Sequence, residues 1–194
     1  MKNVIFAGVG GQGVILASKV LMEVAKNAGY DVKESEVHGM AQRGGSVDCN
    51  VRYGEKVYSP LIPREEADFI VSLEMLEVMR KMEYLSPDGK LIVNREKVDP
   101  APVQTGAMKY PPDLERWVAA NVKNAIFVDT ADILKEVGTR KALNIVMLGI
   151  LSKDLEFSEA QWEAAIRSLV KEKFLDMNLK AFRLGRDYKE PGNG

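Results

Sequence analysis

The segment Gly8-Val9-Gly10-Gly11-Gln12-Gly13 constrains this chain more than any other. It follows a continuous apolar run, Val4-Ile5-Phe6-Ala7, and precedes a stretch in which Ala17, Leu21, Val24 and Ala28 recur at helical spacing. A continuous run fits a central parallel strand covered on both faces, whereas a half-exposed strand would alternate. Glycine admits positive φ and lets backbone N–H groups approach a phosphate at a helix N-terminus, where the dipole favours an anion. Gly29 supplies a helix stop, and Tyr30 to Val37 reads as a second strand. Strand, glycine loop, helix and strand form the first half of a dinucleotide-type α/β fold.

The pattern then departs from that fold. Val47, Cys49, Val51 and Tyr53 alternate with polar residues, so Ser46–Tyr53 reads as a strand; Gly54-Glu55 reads as a turn and Lys56–Ser59 as the returning arm of a β-hairpin. Further buried strands are expected at Asp68–Leu73, Lys90–Asn94 and Ala125–Val128, with helices at Met75–Tyr84, Asp113–Val122, Thr130–Val137 and Leu143–Leu151. The proline-bearing stretch Val98–Pro112 reads as an irregular connection. Ser158 with Gln161 spells a capping box ahead of a long amphipathic helix, and Leu175–Tyr188 reads as a last helix. The expected architecture is α/β: a single-domain, Rossmann-like, three-layer fold with a mostly parallel sheet, a β-hairpin and a helical C-terminus. It spans residues 1–188, with a short flexible tail at 189–194.

Bulk properties narrow the function. With 194 residues the chain can bury a real core, and its formal net charge of −1 gives no field to attract nucleic acid or an anionic membrane. The longest wholly apolar candidate, Ile145–Leu151, is far short of the roughly 18 to 20 residues that span a bilayer. The apolar start is too short for a secretory signal, so a cytoplasmic location is expected. One cysteine, Cys49, cannot hold an iron–sulfur cluster, and one histidine beside it leaves no zinc set; no metal site is expected.

The glycines at 8, 10 and 13 carry the Gly-x-Gly-x-x-Gly spacing, and Glu34 or Glu36 lies near the distance at which an acid would meet a nicotinamide-dinucleotide ribose. A second polar loop, His38 to Ser46, follows at the carboxyl end of strand two, the edge where open α/β sheets bind ligands. Arg43 offers a planar fork for carboxylate or phosphate, Gly44 and Gly45 can expose backbone N–H groups, and His38 is the one side chain whose ordinary titration lies near neutrality. From the residues alone the loops fit a ligand contact, a stand-alone dehydrogenase module, or close packing and docking without ligand.

Taken together, Gly8–Gly13, Glu36-Val-His-Gly-Met-Ala-Gln-Arg-Gly-Gly-Ser46 and Asn144-Ile-Val-Met-Leu-Gly149 resemble the γ-type subunits of the 2-oxoacid:ferredoxin oxidoreductases, in length and motif order the separate small subunits of the indolepyruvate type. The resemblance runs from residue 3 to about residue 170. It implies a subunit, inactive alone, of an enzyme that oxidatively decarboxylates an arylpyruvate, passing electrons to ferredoxin and the acyl group to coenzyme A. It places thiamine diphosphate, Mg2+ and the iron–sulfur clusters on a larger partner subunit, which fits the single cysteine and the missing magnesium–diphosphate motif. Coenzyme A is then expected at a cleft edged by Gly8, Gly10, Gly11, Gln12, Gly13, His38, Gln42, Arg43, Gly44, Gly45 and Ser46. The isolated chain is expected to be able to form a homodimer.

Overall fold

The computed structural model describes residues 1–39, 45–99 and 101–190. Its elements are β1 (Lys2–Val9), α1 (Val14–Asn27), β2 (Asp31–His38), β3 (Ser46–Gly54), β4 (Ala67–Ser72), α2 (Glu77–Lys81), β5 (Leu85–Asn94), α3 (Ala101–Gln104), α4 (Leu114–Asn121), β6 (Ala125–Val128), α5 (Ala131–Val137), α6 (Leu143–Leu151), α7 (Glu159–Leu169) and α8 (Leu175–Arg186). One six-stranded sheet runs through them in the order β2-β3-β1-β4-β5-β6. β1, β4, β5 and β6 are parallel, and β3 lies antiparallel between β1 and β2.

The sheet separates two cores. Val4, Phe6, Cys49, Val51, Tyr53 and Val71 face α1, α6, α7 and α8, while Ile5, Ile70, Leu91 and Val93 face α2 and α4. This is the expected three-layer arrangement, with β1 buried on both sides as its unbroken apolar run requires. α6 is buried along its whole length and touches α8 closely; a Cβ at Gly149 would collide with the Phe182 carbonyl, and one at Gly185 with that of Val146. Close packing thus accounts for Gly149 in the third sequence motif. α1 ends as read, with Gly29 at φ 90° and its N–H on Lys26 while the Tyr30 N–H reaches back to Ala25. The Ser158–Gln161 capping box is complete.

The hairpin differs from the expectation. β3 is paired over its length with β2 on one side and β1 on the other, so both its edges are taken and Lys56–Ser59 forms no strand. Side chains hold that segment instead. Arg52, nearly buried, donates from Nε to Asn3 Oδ1 (2.9 Å) and from one terminal nitrogen to the carbonyls of Ser59 (3.3 Å) and Leu61 (2.7 Å). Asp31 accepts the Val57 N–H at 2.8 Å. The antiparallel pair consecutive in sequence is β2–β3, joined through the second polar loop. Two smaller departures follow the same logic: the 75–84 helix shortens to α2 plus a 3₁₀ turn at Met82–Tyr84, and α3 is a short helix inside the irregular connection.

Candidate functional site at the carboxyl edge of the sheet

Because β1, β4, β5 and β6 are parallel, their carboxyl ends share one edge. β2 also ends there and β3 begins there, since each runs antiparallel to the strand between or beside them. The topology therefore brings the two loops together. The Gly10 N–H donates to the Gly45 carbonyl at 2.8 Å, and the Gly39 N–H donates to the Ser46 carbonyl at 2.7 Å. Within the first loop, the left-handed conformations fall on Gly11 (φ 102°) and Gly13 (φ 82°), not on Gly8 or Gly10. Gly13 is the N-cap of α1, whose first turn has no side-chain cap and no acidic residue. Such a terminus presents partial positive charge and unpaired N–H groups. A cavity of about 320 Å³ lies against it, lined by Val9, Gly10, Gly11, Val14, Ile15 and Val47 among others.

Several predicted contact residues are engaged by the fold itself. Gln12 turns inward: its Oε1 accepts the Val9 N–H (2.9 Å) and its Nε2 donates to the Leu73 carbonyl (3.1 Å), tying β1 to the end of β4. Asn94 Nδ2 donates to the same carbonyl at 3.2 Å, and Thr130 Oγ1 donates to Asn94 Oδ1 at 2.9 Å. This belt of amide and hydroxyl groups staples the ends of four parallel strands beneath the loops. A Cβ on Gly8 would sit 2.8 Å from Gln12 Oε1 and from Val14 Cγ2. Asn144, on the first turn of α6, donates to the Gly13 carbonyl at 3.0 Å, and a Cβ on Gly13 would sit 2.7 Å from its Nδ2. Gln42, Arg43 and Gly44 lie outside the described residues, and of His38 only the backbone is described.

Sequence reasoning missed the acidic residues behind the second loop. Ser46 Oγ donates to Glu77 Oε2 at 2.5 Å, and Lys81, one turn on, pairs with Asp48 at 2.8 Å. Glu74 is buried as well; its carboxylate accepts the N–H groups of Leu76 (2.6 Å), Glu77 (3.1 Å) and Val98 (3.2 Å) and the Tyr110 hydroxyl (2.7 Å). It thereby caps α2 and anchors the irregular Val98–Pro112 connection at Val98 and Tyr110. Burial pushes the Glu77 carboxyl above its ordinary value, against the opposing pull of the Ser46 hydroxyl and Arg80. Two carboxylates placed among Leu73, Met75, Leu76 and Val78 were the available signal, because charge inside an apolar run demands a partner.

Glu34 and Glu36 do not reach the position of a ribose-binding acid. They point under α1, where Ser18 Oγ donates to Glu34 (2.5 Å) and Lys19 approaches Glu36 (3.9 Å). With Cys49 they form the one triad of potential metal donors among the described residues, with ligand atoms within 4.8 Å of each other. Burial pushes the Cys49 thiol up to about 12, which opposes the thiolate a metal would need.

The pyruvate ferredoxin/flavodoxin oxidoreductase family model matches residues 3–188. The chain belongs to that family. Among curated relatives of the pyruvate ferredoxin/flavodoxin oxidoreductases, the indolepyruvate oxidoreductase subunit IorB of Archaeoglobus fulgidus is 38% identical over 188 residues, covering 94% of this chain and 92% of its own. The crystal structure of pyruvate oxidoreductase subunit PORC of Thermotoga maritima superposes with a TM-score of 0.70 at 25% identity, covering 95% of this chain and 94% of its own. A 2-oxoglutarate:ferredoxin oxidoreductase from Magnetococcus marinus, solved with 2-oxoglutarate, coenzyme A and succinyl-CoA bound, shares the fold with a TM-score of 0.73 at 20% identity. This chain is covered to 95% there but matches only 30% of the longer chain. The family fold can therefore stand as a separate chain or as part of a longer one. Among the described residues no helix is long and apolar enough to cross a membrane.

Proposed function

We propose that this chain is the small subunit of a 2-oxoacid:ferredoxin oxidoreductase acting on indolepyruvate or a related arylpyruvate. The reaction releases CO2, joins the remaining acyl group to the sulfur of coenzyme A, and passes the two electrons set free to ferredoxin. The donor set of this chain does not suit the redox groups: one buried, protonated thiol cannot replace the thiolates an iron–sulfur cluster takes. Thiamine diphosphate, Mg2+ and the clusters are accordingly assigned to a larger partner subunit.

The observation that carries the reading is the Gly10–Gly45 hydrogen bond, which joins both family motifs into one surface beside an uncapped helix N-terminus. Backbone N–H groups of Gly10–Gly13 and the guanidinium of Arg43 suit the phosphates of coenzyme A, whose thiol supplies the acyl acceptor when it is bound. This chain's part is to position that acceptor at the subunit boundary. The inward-turned Gln12 favours a second reading, in which the glycine loop serves docking alone.

The test is co-expression with the partner subunit and assay of a 2-oxoacid panel with coenzyme A and ferredoxin. Activity strongest on arylpyruvates is expected, with Arg43→Ala raising the KM for coenzyme A while the isolated subunit stays folded. Unchanged coenzyme A kinetics would leave docking as the role of the loops. Micromolar NAD binding with substrate-dependent NAD reduction by the chain alone would overturn both.

A further inference from the structure

We propose that Glu77 is a positioning residue for the paired loops: by accepting the Ser46 hydroxyl, its buried carboxylate holds the Gly45 carbonyl on Gly10 and fixes the cleft at the start of α1. Ser46 sits where the hydrogen bond between the two loops meets the one that closes the second loop. The carbonyl of Gly45, just before it, receives Gly10, its own carbonyl receives Gly39, and its side chain points to the other face of the sheet and ends on Glu77. Three anchors thus hold Ser46 and the peptide before it, one of them on the first loop, one within the second and one on α2.

The anchor on α2 is itself immobilised. Glu77 is 1% exposed, its N–H is held by Glu74, and its second oxygen lies 3.3 Å from Arg80. The remaining charged groups around it are already committed, Asp48 of β3 to Lys81 and Glu74 to Tyr110 and the backbone. An apolar side chain of similar size would fill the space between α2 and the sheet without the cost of burying a charge. What the carboxylate adds is a directed acceptor for Ser46.

The coupling to coenzyme A rests on the reading of the cleft given above, whereas the positioning itself does not. In the full-length chain, Glu77→Ala and Ser46→Ala should each speed amide exchange at Gly10 and Gly39 by about tenfold, the scale of losing one hydrogen bond to a carboxylate. The double variant should be no faster than either single one, and Glu77→Gln, which keeps an acceptor oxygen, should restore most of the protection. Core amides such as Phe6 and Val71 should not change. Unchanged exchange at Gly10 and Gly39, or additive effects in the double variant, overturns the proposal. In the reconstituted complex Glu77→Ala should raise the KM for coenzyme A and leave kcat nearly unchanged. Faster exchange without any change in coenzyme A kinetics supports the positioning role and sinks the coenzyme A reading of the cleft instead.

Discussion

The two left-handed glycines of the first loop separate backbone strain from crowding. At Gly11, with φ 102°, a Cβ would meet nothing within 4 Å; at Gly13, with φ 82°, it would sit 2.7 Å from Asn144 Nδ2 and 3.3 Å from Asn144 Cβ. An L-residue in the left-handed region costs about 1–2 kcal/mol, and alanine returns about 0.4–1 kcal/mol by restricting the unfolded chain. Gly11→Ala should therefore destabilise by about 0–1.6 kcal/mol, combining those two effects. Gly13→Ala adds overpacking against Asn144, which is anchored at the Gly13 carbonyl and 2% exposed, worth a further ~1–3 kcal/mol. For a chain of this size each 1 kcal/mol lowers Tm by about 2–4 °C. Urea unfolding of the isolated chain, followed by circular dichroism, measures both. Gly13→Ala/Asn144→Ala should recover the crowding part and leave the backbone part, because the Gly13 carbonyl still receives the Leu16 and Ala17 N–H groups. If Gly13→Ala costs no more than Gly11→Ala, or the Asn144 change gives no relief, the packing argument is wrong.

Glu77 adds a pH signature. Its folded-state pKa is raised above 4.5, so between that value and the folded one the native state keeps a proton that the unfolded chain has lost, and stability falls as pH rises through the window. Urea unfolding from pH 4 to pH 8 should show wild type losing stability relative to Glu77→Gln over that window; a relative gain refutes the assignment. Cys49, its thiol pushed up to about 12 by burial, should react with a thiol reagent at pH 8 only as fast as the chain unfolds; prompt reaction of the native protein refutes its burial. Arg52→Met should leave the sheet intact and open residues 55–62 to limited proteolysis, since Arg52 holds the Ser59 and Leu61 carbonyls; unchanged cleavage there refutes its anchoring role.

Periodicity revealed which face each residue occupies and left open which strand lies beside it. Val47, Cys49, Val51 and Tyr53 do share the face under α1, as their alternation requires. Their neighbours are not legible because β3 inserts between β1 and β2, which are consecutive in sequence, pairs with both and leaves no edge for Lys56–Ser59. Both glycine-bearing loops were legible, since glycine spacing reports on the backbone. The turn of Gln12 toward Leu73 was not, because an amide suits a ligand and a carbonyl equally well. The burial of Glu77 is signalled in the sequence only by the apolar residues around it, and the packing of α2 against β1 and β4, with Ser46 of β3 on its carboxylate, puts it out of water.

The same strand insertion decides what the glycine fingerprint can recognise. In a dinucleotide fold the second strand lies beside the first, and an acid at its end reaches the ribose of a nucleotide whose diphosphate rests on the glycine loop. Here that place belongs to β3, with Gly8 opposite Val47 and Val9 opposite Ser46. β2 is displaced outward by a further strand spacing of about 4.8 Å, and Glu34 and Glu36 are turned under α1. An uncapped helix N-terminus still favours an anion, because that preference comes from backbone groups alone. Selectivity for a particular nucleotide needs side chains around it, and among the described residues the polar side chains at the loop are a hydroxyl given to Glu77, an amide given to Leu73 and an amide given to the Gly13 carbonyl. On the proposed reading, whatever rests at this edge draws its specificity from groups other than these, and Arg43 and the surface of the partner subunit are the candidates.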